Sequence, residues 1–226
     1  MPHSDLHQWQ SLLEWRPADN GPCVVTGADA VQQDLLPFWH RCLRQTNSDV
    51  PIVFCDFGMT QHARTWCKQR GRLHQIPVRK KRSAWFSKPL GILAAGYETI
   101  IWLDVDMEVK ADISMLWKNL LPATGLGVTH DGTLPGKNPA GSINSGLVTV
   151  NHGTPLVVDW ARACLTSDLR GDQEVLYSLG VRYNLPQEYN YLRQLPEHSK
   201  AKIIHWWGIE GRAELRWRLQ MPQTLS

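Results

Sequence analysis

The stretch Tyr97–Asp112, YETIIWLDVDMEVKAD, decides how this chain is read. Ile100, Ile101, Trp102 and Leu103 make a short run of β-branched and aromatic side chains, the composition of a buried strand. The run stops at two aspartates, Asp104 and Asp106, with only Val105 between them. One Asp would suffice for a turn. Side chains two apart in an extended chain point the same way, so both carboxylates are expected on one side. Like charges that close repel and call for a counterion. Oxygen donors of this kind suit a hard divalent cation, Mn²⁺ or Mg²⁺.

Outward from this strand the sequence alternates. Cys23–Thr26 reads as a first strand ending in the small-residue turn of GPCVVTGAD. AVQQDLLPFWHRCLRQT follows with helical spacing interrupted by Pro37, and then VPIVFCDFG reads as a second strand. TQHARTWCKQRG reads as a helix capped by Thr60 and stopped by Gly71. SKPLGILAAGYE, with Pro89 near its first turn, is a helix that feeds into the DxD strand. Later come a strand in INSGLVTVN, a helix in TPLVVDWARACL with Thr154 as its cap, and a shorter helix in DQEVLYSLG. Such alternation predicts an α/β domain with a mostly parallel central sheet flanked by helices. In sheets of this class ligands bind beyond the carboxyl ends of the strands, which is where VVTGAD, CDFG and LDVD finish.

The bulk numbers agree with one soluble domain. The chain has 226 residues, 42% hydrophobic and 20% charged, which fits a single full core and argues against disorder. A formal net charge of only +3 gives no global pull toward nucleic acid. Cys23, Cys42, Cys55, Cys67 and Cys164 show no CxxC spacing and an odd count, which suggests buried thiols in a reducing compartment. No apolar stretch has the length of a signal peptide or a spanning helix, so a cytoplasmic protein is expected.

Further motifs surround the DxD in a fixed order: Arg79, Lys88, Asn144–Ser145–Gly146, Asp172–Gln173, LPQEYN over Leu185–Asn190, and IIHWWG over Ile203–Gly208. In order and spacing this set resembles the retaining glycosyltransferases of family 8, the glycogenin and bacterial galactosyl- and glucosyltransferase group, from about Val24 to Gly208. The resemblance implies the GT-A nucleotide-diphospho-sugar transferase fold. It implies that Asp104, Asp106 and His205 hold Mn²⁺ against the diphosphate of a UDP-sugar. It implies that Thr26, Gly27, Ala28 and Asp29 line the base and ribose, with Val105 and Gly208 also on the nucleotide. Arg79 and Lys88 would contact donor sugar or phosphate, and Asn144 and Ser145 the sugar. Asp172 and Gln173, with Lys88, would carry the chemistry at the anomeric carbon. One departure stands out: the lysine expected six residues after His205 is Gly211 here, with Arg212 next. Arg212 is the candidate replacement on the diphosphate.

Blander and rival readings exist for each feature. Asp172 could be only an N-cap, Asn144–Gly146 an ordinary turn, and the VRKKR run (Val78–Arg82) a solvated face apart from Arg79. A DxD phosphatase of the haloacid dehalogenase type would place its motif early, followed by Gly-Thr. A sugar nucleotidyltransferase would show a glycine-rich loop near the first strand, and an inactive nucleotide-sugar-binding protein would have lost charged site positions. The expected layout is an N-terminal extension over 1–20, the transferase domain over 21–211 and a tail over 212–226. In that tail Leu215 and Leu219 share one helical face, which favours a docked helix over a weak basic contact with an anionic membrane surface. The expected partners are the nucleotide-sugar donor and a carbohydrate, lipid-linked or protein acceptor.

Overall fold

The computed structural model describes residues 13, 19–79, 83–132, 142–151, 153–195 and 198–220. Most of the expected 1–20 extension, the 80–82 part of the basic run and the 221–226 end of the tail lie outside the described residues. A six-stranded sheet forms the centre, built from β1 (Asp19–Ala28), β2 (Ile52–Asp56), β3 (Arg72–Gln75), β4 (Tyr97–Leu103), β6 (Leu126–His130) and β7 (Ile143–Asn151) in the order β3-β2-β1-β4-β7-β6. The β1–β2, β2–β3 and β1–β4 pairs are parallel, while β7 runs antiparallel to both β4 and β6. The sheet is therefore mostly parallel, with β7 alone reversed. Helices cover it: α1 (Leu36–Thr46), α2 (Gln61–Lys68), α3 (Lys88–Ala94), the short α4 (Met115–Lys118), α5 (Pro155–Thr166), α6 (Asp172–Ser178) and α7 (Gly208–Gln220).

β1, β2 and β4 are nearly continuous in apolar residues because both faces are covered. Val24, Ile52, Phe54, Ile101 and Leu103 face a cluster that includes Leu36, Trp39 and Leu43 of α1. Val25, Val53, Ile100 and Trp102 face the other, which includes Leu90 and Ile92 of α3 and Trp160 of α5.

Several local expectations are corrected. Pro37 does not interrupt a helix; it stands in the first turn of α1, where its missing N–H costs nothing. Thr60 does cap α2, accepting from Ala63 N. Thr154 precedes α5 without capping it, because its hydroxyl donates to the carbonyls of Gly125 and Asn151. β1 begins at Asp19, so the last two residues of the expected extension belong to the sheet. Finally, α7 starts at Gly208, four residues ahead of the tail boundary.

A second, three-stranded sheet has the order β5-β9-β8, from β5 (Met107–Val109), β8 (Tyr191–Leu192) and β9 (Ile203–His205). It matters because it fastens the segment after the DxD to the strand that ends in His205: Met107 lies opposite His205 in the β5–β9 register. The reversal of β7 has the same consequence for another motif. Its first residues, Asn144–Gly146, lie beside the carboxyl end of β4, where Asp104 N donates to Gly146 O at 2.9 Å. Motifs far apart in the chain thus meet at one edge of the sheet.

Candidate active site

The DxD does not stay extended. A turn follows β4, closed by Met107 N donating to Asp104 O at 3.1 Å. The two carboxylates converge through this turn rather than through strand alternation, and the β9 backbone holds it, Trp206 N donating to Asp106 O at 2.9 Å. Asp104 Oδ1 accepts from Trp102 Nε1 at 2.7 Å, and 29% of its side chain stays open toward the cleft. His205 approaches Asp106 Oδ1 through Nε2 at 3.3 Å, and its Nδ1 lies 2.9 Å from Asn190 Oδ1. Asp104, Asp106 and His205 each present a donor atom, all within 4.8 Å of one another. Two carboxylates and an imidazole held by a second hydrogen bond form a set that fits Mn²⁺ or Mg²⁺.

Lys88 opens α3 and is 2% exposed. Its ammonium lies 3.0 Å from Asp104 Oδ1 and 3.2 Å from Asp172 Oδ2, and it donates to Ser145 O at 2.9 Å. Burial works against this charge, but Asp104 and Asp172 outweigh it and raise the Lys88 pKa, so the side chain is a cation. Asp172 is the first residue of α6 and not its cap: Gly171 holds the cap position, and the Asp172 carboxylate turns inward to accept from Ser145 Oγ at 2.9 Å. Its own carbonyl accepts from Trp160 Nε1 at 2.9 Å, which fixes the start of the helix. Beside it, Gln173 Oε1 accepts from Ser145 N at 3.1 Å.

Arg212, on the first turns of α7, donates to Asp106 Oδ2 at 3.1 Å. Burial opposes ionisation of Asp106, but His205 and then Arg212 overcome it and hold its pKa at about 2. Gly211, the residue at the expected lysine position, has no room for a side chain, since a Cβ there would press on the Trp206 carbonyl.

These groups line one cleft of about 310 Å³ at the carboxyl edge of the sheet. Of the residues singled out in the sequence, Gly27, Asp29, Lys88, Asp104, Val105, Asp106, Asn144, Ser145, Asp172, Gln173, His205, Gly208 and Arg212 all face it. Thr26 and Ala28 do not. They are fully buried, Ala28 in the cluster with Leu36 and Trp39, because strand alternation turns them away from Gly27. Arg79 is outside the lining too, with a buried Nη1 that finds no hydrogen-bond partner among the described residues. Gln32, Phe57, Ala84 and Trp85 also line the cleft without any motif in the sequence marking them, as does Trp207 of the IIHWWG motif. Trp85 and Trp207 are 39% and 38% exposed, which leaves indole surface open to a ligand. Asp131 was also missed. It is 5% exposed and lies behind Asn144 and Gln173, and its sequence signal is the one that marks Asp104: an apolar strand, LGVTH, that ends in Asp.

The chain matches no protein-family model and no curated protein sequence. Solved structures are similar in fold. Apo glycosyltransferase GlyE of Streptococcus pneumoniae TIGR4 superposes with a TM-score of 0.61 at 16% identity, over 84% of this chain and 55% of that one. This is the GT-A glycosyltransferase fold. Galactosyltransferase LgtC, in complex with donor and acceptor sugar analogs, gives a TM-score of 0.55 at 16% identity, over 90% of this chain and 98% of LgtC. A glycosyltransferase involved in glycosylation of the major capsid of PBCV-1 gives 0.60 at 15% identity, over 88% and 99% of the two chains. The chain thus spans about half the length of GlyE and nearly all of the other two. No helix among the described residues is long and apolar enough to cross a membrane.

Proposed function

We propose that the chain is a metal-dependent, retaining glycosyltransferase of the family 8 kind. It would move a hexose from a UDP-sugar to an acceptor hydroxyl on a carbohydrate, lipid-linked or protein substrate, in the cytoplasm. One observation carries this reading: Asp104, Asp106 and His205 share a cleft with Lys88, Asp172 and Gln173. Charge supports the metal. Among the described residues, the carboxylates of Asp29, Asp104, Asp106 and Asp172 line the cleft against two side-chain cations, Lys88 and Arg212. A diphosphate would be repelled there without a divalent ion, for which Asp104, Asp106 and His205 are the fitting ligands. When bound, Mn²⁺ or Mg²⁺ supplies Lewis-acid stabilisation of the leaving diphosphate.

This chain's own groups would do the rest. Gly27 and Asp29 lie where a nucleoside would meet the end of β1. Lys88 pairs with Asp172 and adds positive charge on the donor side. The Asp172 carboxylate and Gln173 amide would stabilise the cationic sugar ring as the glycosidic bond breaks, as carboxylates do in glycoside hydrolysis. Both are tied in place, Asp172 by Lys88 and Ser145 and Gln173 by Ser145 N. Neither is a loose nucleophile, which favours attack by the acceptor hydroxyl from the leaving-group face. Arg212 stands beside Asp106, where it would meet the diphosphate charge. A screen of nucleotide sugars with Mn²⁺ tests the proposal. Turnover should appear with an α-linked UDP-hexose, and proton NMR of early product should show an α linkage; a β linkage would refute retention.

A further inference from the structure

Asp131 plays no direct part in the chemistry described above, yet it begins a chain of hydrogen bonds that ends at His205. Asp131 follows β6 and is 5% exposed. Its Oδ1 accepts from Asn144 Nδ2 at 3.3 Å and its Oδ2 from Gln173 Nε2 at 3.4 Å. Asn144 Oδ1 in turn accepts from Gly146 N at 2.9 Å and from Asn190 Nδ2 at 2.8 Å. Asn190 is fully buried; its Nδ2 also donates to Thr129 Oγ1 at 2.8 Å, so its Oδ1 is the atom left for His205 Nδ1 at 2.9 Å.

Each amide in this chain has two ends of similar shape and opposite hydrogen-bonding sense. An ionised carboxylate has one sense, since it can only accept. An ionised Asp131 at the head needs the NH₂ groups of Asn144 and Gln173 to face it, the same sense that the backbone donors Gly146 N and Ser145 N require of the two amide oxygens. That turns Asn144 Oδ1 toward Asn190, the NH₂ of Asn190 toward Asn144, and Asn190 Oδ1 toward the ring. His205 Nδ1 then has to be the protonated nitrogen, and Nε2 is the atom left for a metal.

We propose that Asp131 is a positioning residue that, with the N–H groups of Gly146 and Ser145, fixes the direction of this chain, and through it the protonated nitrogen of His205 and the orientation of the Gln173 amide. The inference rests on the metal-dependent reading of the site, and its test separates the two. Nitrogen-15 NMR of the full chain without metal reads His205 directly. In the neutral ring of wild type the proton should sit on Nδ1. An Nε2–H ring with bare Nδ1 in wild type would overturn the proposal whatever the variants do. In Asp131→Asn, which has the shape of Asp131 but a donor of its own, the Nδ1 signal should split or shift, and Asp131→Glu should restore it in part. Mn²⁺ affinity by calorimetry should fall about tenfold or more in Asp131→Asn, the range typical of groups that orient a ligand. An unchanged His205 spectrum with unchanged Mn²⁺ affinity would show that Asp131 only fills space. Absence of Mn²⁺ binding in wild type, with the Nδ1 proton in place, would count against the metal while leaving the positioning role intact.

Discussion

Two glycines carry much of the site geometry at the scale of single residues, each through what a methyl group would hit. A Cβ on Gly146 would strike the His205 ring, 2.7 Å from Nδ1, and the Asn144 amide oxygen at 2.9 Å. Its backbone is ordinary strand, so Gly146→Ala should cost little conformational strain while pushing the imidazole off Asp106. Mn²⁺ affinity is expected to drop roughly 10- to 100-fold, the scale seen when a ligand loses its orientation. Calorimetry on a folded variant checks this, and equal affinity would mean the ring is not a ligand. At Gly211 a Cβ would sit 2.6 Å from the Trp206 carbonyl carbon. A side chain has no room there on this backbone, and the neighbouring cation is Arg212, paired with Asp106. Arg212→Ala should lower UDP-sugar turnover and leave the melting transition near that of wild type. Unchanged turnover would place the phosphate-binding charge elsewhere. The pattern of the sequence marked this position as a departure, but only packing against Trp206 explains it.

Among the elements, α7 separates what the sequence made legible from what it hid. Leu215 and Leu219 share a helical face in sequence, and both are expected to dock. In the fold Leu215 is 1% exposed and Leu219 is 37% exposed, since the helix leaves the body before its last turn. Leu215→Ala should therefore cost about 2–5 kcal/mol, as buried leucines do, and Leu219→Ala close to nothing. Denaturant midpoints would read the difference, and equal losses would contradict the docking seen here. Arg216 also anchors α7, with Asp34 Oδ2 at 2.7 Å. The Arg216 hydrogen bond lowers the Asp34 pKa, so this contact stabilises the fold above the ordinary carboxylate pKa and is lost as pH falls through the lowered folded value. With Asp34 half exposed its contribution is under about 1 kcal/mol. In the central sheet two strands were not read from the sequence, for different reasons. β3, Arg72–Gln75, is a polar sheet edge with no apolar alternation, and β6 is five residues interrupted by Gly127. The legible strands, β1, β2, β4 and β7, each carry an uninterrupted run of buried residues.

For the molecule as a whole, charge sets how ligands must arrive. The chain carries a formal +3, so the surplus of carboxylates in the cleft is local and not a property of the whole surface. The sequence held most of this information in residue types: the DxD, Lys88, Asn144, Asp172 and His205 were all readable. Their meeting was not, because it depends on the reversed β7 and on the β5–β9 pairing, which no local pattern specifies. The arrangement makes a joint prediction for UDP and metal. UDP alone would bring more negative charge to a cleft already rich in carboxylates. Mn²⁺ alone would have to compete with Lys88 for Asp104 and with Arg212 for Asp106. Together each offsets the other's repulsion, so the two should bind with positive coupling. Thermal melts should show small shifts with either ligand singly and a large one with both. At about 100 times the dissociation constant the gain is about 2.7 kcal/mol, or roughly 5–10 °C for a chain of this size. Asp106→Ala should remove the joint shift while keeping whatever UDP gives alone. If UDP without metal raised the melting temperature as far as UDP with Mn²⁺, the carboxylate cluster would not be a metal site, and the cleft would be holding the diphosphate through Lys88 and Arg212 instead.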